Sequence, residues 1–362
     1  VKQAMEPYLQ ENYGNASTAY SIGEDARREL EKSRGVIAAT LHAKTSEIYF
    51  TSGGSESDNW AVKNIAAACK KKGRHIITTN IEHHAILNSC EYLEKLGYDV
   101  TYLEVDGDGL ISPEQVMDAI RPDTTLISVM FANNEVGTIE PIYQIGKIAR
   151  EKQILFHTDA VQAYAQIPLS VNYYPVDLLS ASAHKFHGPK GVGFLYIRDG
   201  IDIPSFIHGG SQERGKRAGT ENVAGIVGMA KAAEIAYGNM RKRVQKEIML
   251  RNYLIERVMH EIPDAKLNGH RSIRLPGNVN FSFKGLEGAS LLILLDEDGI
   301  CASGGSACNT GEERISYVIK ALGVPEEYAP GTIRITLCGD TTRADVDAAL
   351  VSLKRNIAVL RG

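Results

Sequence analysis

Short apolar runs alternate with amphipathic stretches from about residue 35 to about residue 200, and this alternation predicts strands and helices in turn. Glu47-Ile48-Tyr49-Phe50 reads as a strand leading into a helix through Trp60, Val62 and Ile65. His75-Ile76-Ile77-Thr78 leads into a helix through Ile86, Leu87 and Tyr92, and Leu126-Ile127-Ser128-Val129-Met130 into one through Ile145 and Ile148. Ile154-Leu155-Phe156-His157, Asp177-Leu178-Leu179-Ser180 and Gly193-Phe194-Leu195-Tyr196 complete the set. Short apolar strands set between helices indicate an α/β fold, with a mostly parallel sheet covered on both faces. Ligands of such sheets gather at the carboxyl ends of the strands.

Past residue 220 the pattern changes. A helical stretch runs from about Val223 to Ile262, interrupted near Gly238-Asn239. Asn278 to Phe283 then alternates, Gly288 to Leu295 reads as helix, and Ile333 to Leu337 alternates again. The reading is a large α/β domain over residues 15–235 and a smaller α+β domain over 236–362, which residues 1–14 join.

A hydrophobic fraction of 43% in 362 residues is enough for real cores. A net charge of -4 provides no basic excess for a nucleic-acid surface. Lys70-Lys71-Lys72-Gly73-Arg74 and Arg241-Lys242-Arg243 read as solvated helix ends or faces. The densest apolar run, Leu291 to Leu295, is closed at once by Asp296, far short of a membrane span. Val1-Lys2-Gln3 is an amphipathic opening rather than a signal peptide. The five cysteines contain no CxxC pair, which points to a reducing cytoplasm.

Four segments carry candidate chemistry. Thr51-Ser52-Gly53-Gly54-Ser55-Glu56-Ser57 joins a strand to a helix start, where free amides and the Ser55 hydroxyl can take a phosphate; an ordinary capped turn is an equal reading. Asp159, just past an apolar strand, could pair with a protonated ring nitrogen or simply cap a turn. Lys185 stands among small and aromatic residues that could desolvate its amine for a Schiff base. Cys308, flanked by Ser306, Ala307, Asn309 and Thr310, has the setting of an accessible thiol; Cys301 reads as buried and inert, and Cys69, Cys90 and Cys338 as quietly packed.

In this order the segments resemble the cysteine desulfurases of the class-V aminotransferase family, fold-type I pyridoxal-phosphate enzymes, in the group containing NifS and IscS. The resemblance spans nearly the whole chain. It rests on Phe50 to Asn59, Glu82-His83-His84-Ala85, Ala132 to Gly137, Asp159 to Gln162, Ser182-Ala183-His184-Lys185, Arg217 to Asn222 and Ser303 to Cys308. Ser55 stands where the family often has Thr, which preserves the hydroxyl.

The resemblance implies pyridoxal 5'-phosphate on Lys185, with Asp159 at the ring nitrogen and Gln162 and Asn134 at the phenolic oxygen. Gly54, Ser55, Ser182, Ala183 and His184 would hold the cofactor around its phosphate, joined by Thr220 of the partner subunit in a homodimer. His83 would stack on the ring and serve proton transfer. Arg334, with Asn134, would bind the substrate. L-cysteine would give L-alanine and a persulfide on Cys308, passed to an acceptor such as an iron-sulfur scaffold or a tRNA-thiolation protein. A metal would be met only through that persulfide, in a transient iron-sulfur contact. The long stretch from Cys308 to Arg334 resembles the flexible-loop group. A pyridoxal-phosphate transaminase or lyase, including selenocysteine lyase, and a cysteine-nucleophile hydrolase are the alternatives.

Overall fold

The computed structural model describes residues 1–304 and 315–362 and divides into two units. The first comprises Val1–Leu103, Ser112–Phe131 and Pro141–Met240; the second comprises Glu104–Ile111, Ala132–Glu140 and Arg241–Gly362.

The first unit opens with two short helices, α1 (Lys2–Met5) and α2 (Pro7–Gln10), and the long α3 (Ser21–Leu41). There follow β1 (Ile48–Thr51), α4 (Gly54–Ala68), β2 (His75–Thr79), α5 (His84–Lys95), β3 (Asp99–Leu103), α6 (Pro113–Ala119), β4 (Thr124–Ser128), α7 (Ile142–Glu151), β5 (Leu155–Asp159), β6 (Leu178–Ser182), β7 (Gly193–Ile197) and α8 (Val223–Gly238). The seven strands form one sheet in the order β1-β7-β6-β5-β4-β2-β3. The pairs β2–β3, β2–β4, β4–β5 and β5–β6 are parallel, while β7 runs against both neighbours. Every residue of β2, β4, β6 and β7 is buried, which explains why these strands read as apolar runs without alternation.

Three features differ from the sequence reading, the first being that residues 104–111 and 132–140, read as part of the large domain over 15–235, belong to the second unit. The edge strand β3 escaped that reading, because Asp99-Val100-Thr101-Tyr102 is half-exposed and carries no apolar run. Residues 1–14 belong to the first unit rather than with the smaller part. Both α1 and α2 pack on α8, where a Cβ on Gly228 would come within 2.6 Å of Met5 Sδ.

The second unit contains α9 (Met240–Glu261), β8 (Ala265–Leu267), β9 (Asn278–Phe283), α10 (Gly288–Glu297), α11 (Tyr317–Ala321), β10 (Thr332–Thr336) and α12 (Arg343–Arg361). Its antiparallel sheet has the order β10-β9-β8. The alternation of Asn278 to Phe283 suggests a face turned to water, yet all six residues are buried. Val279, Phe281 and Phe283 join the core with Leu254, Leu291 and Leu353. Asn278, Asn280 and Ser282 form a buried polar network on the other face. Burial of so many amides is tolerated because they are bonded to one another and to backbone carbonyls.

Candidate active site

β1, β5 and β6 point the same way, since β1 and β6 both run antiparallel to the intervening β7 and β5 is parallel to β6. Their carboxyl ends therefore lie at one sheet edge, and β2 shares that direction through β4. The start of α4, which follows β1, carries Gly54 and Ser55, the turn after β2 carries His83, β5 ends on Asp159, and β6 ends on Ser182 just before Lys185. Chain segments distant in sequence thus deliver their candidate residues to one edge of the first unit.

The start of α4 is built for an anion. Gly53 is the N-cap, at φ 150°, and no side chain caps the helix. Ser57 donates back to the Gly53 carbonyl and pairs with Thr51 Oγ1. A Cβ on Gly54 would come within 2.6 Å of Val161 Cγ2, and one on Gly193 would meet Gly53 Cα at 2.7 Å. Glycine is needed at both positions so that the turn can lie against β7 and the segment after β5. The Ser182 hydroxyl lies 3.5 Å from where a Gly53 Cβ would stand. Uncapped amides at a helix N-terminus, with a hydroxyl beside them, suit a phosphate.

Asp159 is 6% exposed and accepts a hydrogen bond from the Val161 amide at 2.8 Å. Burial pushes its carboxyl up to about 6, opposed by the Val161 bond and the Lys185 charge. Lys185 lies half-buried in a 3-10 turn, Ala183–Phe186, whose Ala183 is buried. Its charge also reaches His83. That ring is the N-cap of α5, accepting the Ala85 amide on Nδ1, and burial together with His84 and Lys185 lowers its pKa. His83 is thus neutral near pH 7, with Nδ1 engaged as an acceptor. Gln162 is half-buried, while His184 and Thr220 are exposed.

Behind Asp159 stands a buried cluster that the sequence reading did not single out. Asp58 on α4 is 1% exposed, and burial and the Asp159 charge hold its carboxyl well above the usual range. Its Oδ1 lies 3.7 Å from His157 Nε2. Burial pushes the His157 pKa down to about 3, and its two nitrogens pair with Ser128 and Ser180 hydroxyls at 2.9 and 3.0 Å. Glu82 accepts from Thr79 Oγ1 and from the Met130 amide, which ties the end of β2 to the segment after β4. Asp58 and Glu82 sit inside the quoted motifs, but only their burial reveals a supporting role.

Asn134 and Arg334 belong to the second unit and meet there. Arg334 Nη1 donates to the Asn134 carbonyl at 2.7 Å. Asn134 Oδ1 and Arg334 Nε are buried without a hydrogen-bond partner among the described residues. A donor and an acceptor held ready in this way are what an amino-acid ligand would satisfy.

Cys308 lies outside the described residues. Cys301 is exposed rather than buried, because the chain turns out of α10 at Gly299; its sulfur faces Asp296 at 3.9 Å. Cys90 is buried in α5, which pushes its thiol up to about 12, and Cys69 and Cys338 are partly buried.

These groups fit pyridoxal phosphate part by part: open amides for the phosphate, a buried carboxylate for the ring nitrogen and a half-buried amine for the aldehyde carbon. Comparison with known proteins points the same way. The family profile described as aminotransferase class-V matches residues 1–349. A protein of Dictyoglomus turgidum named cysteine desulfurase IscS is 52% identical over 361 residues, covering 100% of this chain and 92% of that protein. The solved structure titled NIFS-LIKE PROTEIN superposes with a TM-score of 0.93 at 40% identity, covering 99% of this chain and 95% of the other. Another, titled SspA in complex with cysteine, gives a TM-score of 0.82 at 37% identity, covering 94% of this chain and 95% of the other.

Proposed function

The chain belongs to the aminotransferase class-V family and is a cysteine desulfurase, and from that premise we propose how its residues divide the work. Its cofactor is pyridoxal 5'-phosphate. The observation that carries the reading is the grouping, at one sheet edge, of the uncapped α4 start, buried Asp159 and Lys185. Bound there, pyridoxal phosphate supplies an electron sink for charge developing at the substrate Cα.

Gly54, Ser55, Ser182 and His184 hold the phosphate, with Thr220 of the partner subunit in a homodimer. Asp159 holds a proton on the ring nitrogen, and its ionised form is the one suited to that pairing. Gln162 and Asn134 donate to the phenolic oxygen. Lys185 Nζ takes the substrate's Cα proton, and neutral His83 serves as a nearby acceptor or donor for it. Arg334 fixes the substrate carboxylate through its guanidinium.

Cys308 Sγ, as thiolate, attacks the sulfur of L-cysteine. A bond forms between the two sulfurs as the bond from Cβ to sulfur breaks, and the substrate's thiol proton ends on Cβ. The Cβ is reduced by two electrons and the sulfur oxidised by two, so L-alanine and a Cys308 persulfide form without an outside oxidant. The persulfide passes to an acceptor protein, an iron-sulfur scaffold being the partner that suits this chemistry. A reducing compartment such as the cytoplasm suits a thiolate nucleophile. No helix among the described residues is long and apolar enough to cross a membrane.

Mass spectrometry after incubation with L-cysteine tests the assignment. One sulfur should be gained on Cys308 alone, and Cys308→Ser should retain the cofactor's visible absorption while losing alanine formation. Full activity in the Ser variant would remove Cys308 from the reaction and favour a lyase.

A further inference from the structure

Asn280 stands in the middle of β9, directly across the ladder from Arg334 in β10. It is 0% exposed, an unusual place for an amide, and both ends of its side chain are engaged. Nδ2 donates to the Glu135 carbonyl at 3.1 Å, and Oδ1 accepts from Asn268 Nδ2 at 2.8 Å. Asn278, two residues along the same face, sends a longer bond of 3.3 Å to the same carbonyl. Glu135 is the neighbour of Asn134, whose own carbonyl receives Arg334 Nη1. One buried amide thus connects the strand beside Arg334 to the loop on which that guanidinium rests.

We propose that Asn280 is a positioning residue for substrate recognition: by anchoring the Glu135 carbonyl it fixes the Asn134 carbonyl, and through it the direction of the Arg334 guanidinium. The inference rests on the reading of Arg334 as the group that binds the substrate carboxylate. Geometry makes the case. A guanidinium carries its donors in one rigid plane, so holding Nη1 on a fixed carbonyl also fixes where Nε points. Arg334 Nε is the buried donor without a partner among the described residues. Loosening the loop lets the guanidinium turn, and a bidentate contact to a carboxylate tolerates little misalignment. Packing alone would not require an amide here. The Val279, Phe281 and Phe283 face supplies the core, whereas Asn280 lies on the opposite face among hydrogen-bonded polar groups.

The test compares Asn280→Ala with the native holoenzyme. The KM for L-cysteine and the Kd for L-alanine, which keeps the carboxylate but lacks the thiol, should each rise about tenfold. The kcat should change less than about threefold, and affinity for pyridoxal phosphate should be unchanged. Asn280→Ser, which retains a hydroxyl too short to reach the Glu135 carbonyl, is the second variant and should show the same split if the alanine form does not fold. Unchanged KM and Kd in a folded variant overturn the proposal, as does a parallel loss of kcat and cofactor affinity. Arg334→Ala separates the two readings. A rise in KM there without one in the Asn280 variants sinks only the positioning role, and no rise in either sinks the assignment of Arg334.

Discussion

Arg334 reaches the Asn134 carbonyl with its Nη1 at 2.7 Å while its backbone bonds Ser303 on one flank and pairs with Asn280 on the other. The side chain is therefore held by the loop before Glu135, and its strand is held on both sides. The chain carrying Cys308 in sequence leaves from the Ser303 flank. Ser316, among the first described residues after it, works against the burial that pushes the Glu135 carboxyl up to about 7.

Removing this guanidinium should weaken substrate binding selectively. Arg334→Ala is expected to raise the KM for L-cysteine about 30- to 100-fold, matching the ~2–3 kcal/mol of a charged hydrogen-bonded contact. Arg334→Lys should recover only part of this, because an ammonium lacks the planar fork. Steady-state kinetics with L-cysteine and spectral titration with L-alanine read both effects.

Asp159 should govern the electronics of the bound cofactor. Asp159→Asn keeps the shape and the Val161 bond but removes the charge. The expected result is a shifted visible band at unchanged cofactor stoichiometry and a kcat lower by about 100-fold, ~2.7 kcal/mol of barrier. Native kcat in this variant would mean that the ionised carboxylate plays no part.

Glu140 should make the protein less stable as pH rises. Its carboxyl is 3% exposed; Oε2 accepts from the Ile111 amide, and Oε1 has no partner among the described residues. Burial, with the Asp106 charge, pushes it up to about 8. The folded state holds this proton where the unfolded chain has lost it, so stability declines as pH climbs from about 4.5 to about 8, by on the order of 1 kcal/mol per unit. Urea unfolding across that range should show a shallower decline for Glu140→Gln, and an identical slope would refute the assignment.

The Arg34–Glu213 pair should be a point of fragility. Arg34 Nη1 and Nη2 donate to the two Glu213 oxygens at 2.7 and 2.9 Å, and both side chains are buried. Glu213 also accepts the Phe50 amide, and its backbone, like that of Arg214, is left-handed. Glu213→Ala removes the buried partner and leaves Arg34 with only the solvent-exposed Glu31, 3.1 Å from its Nε, at a cost of about 3 kcal/mol. The unfolding midpoint should fall accordingly, whereas Lys44→Ala, at the exposed pair with Asp199, should change it little.

Much of the candidate site was legible in the chain because its signals are local. Gly53-Gly54 before a helix, Asp159 at a strand end and Lys185 beyond the following strand are written in neighbouring residues. The apolar runs of β2, β4, β6 and β7 likewise declared a covered sheet. Cys301 misled because its apolar neighbours suggested burial, while the turn at Gly299 carries it to the surface.

What the sequence determined by itself, then, is the order of elements and the residue types brought to the sheet edge, since periodicity and turn chemistry act over a few residues. Only the tertiary structure decided which polar groups are buried and what they hold. Asp58 became a support behind Asp159 because α4 turns it against β5, 3.7 Å from His157. Asn280 found its partner in a carbonyl 145 residues away. A strand alternating polar and apolar residues looks the same whether its polar face meets water or another part of the chain. The difference is made by what packs over it, a long-range contact that no short window contains.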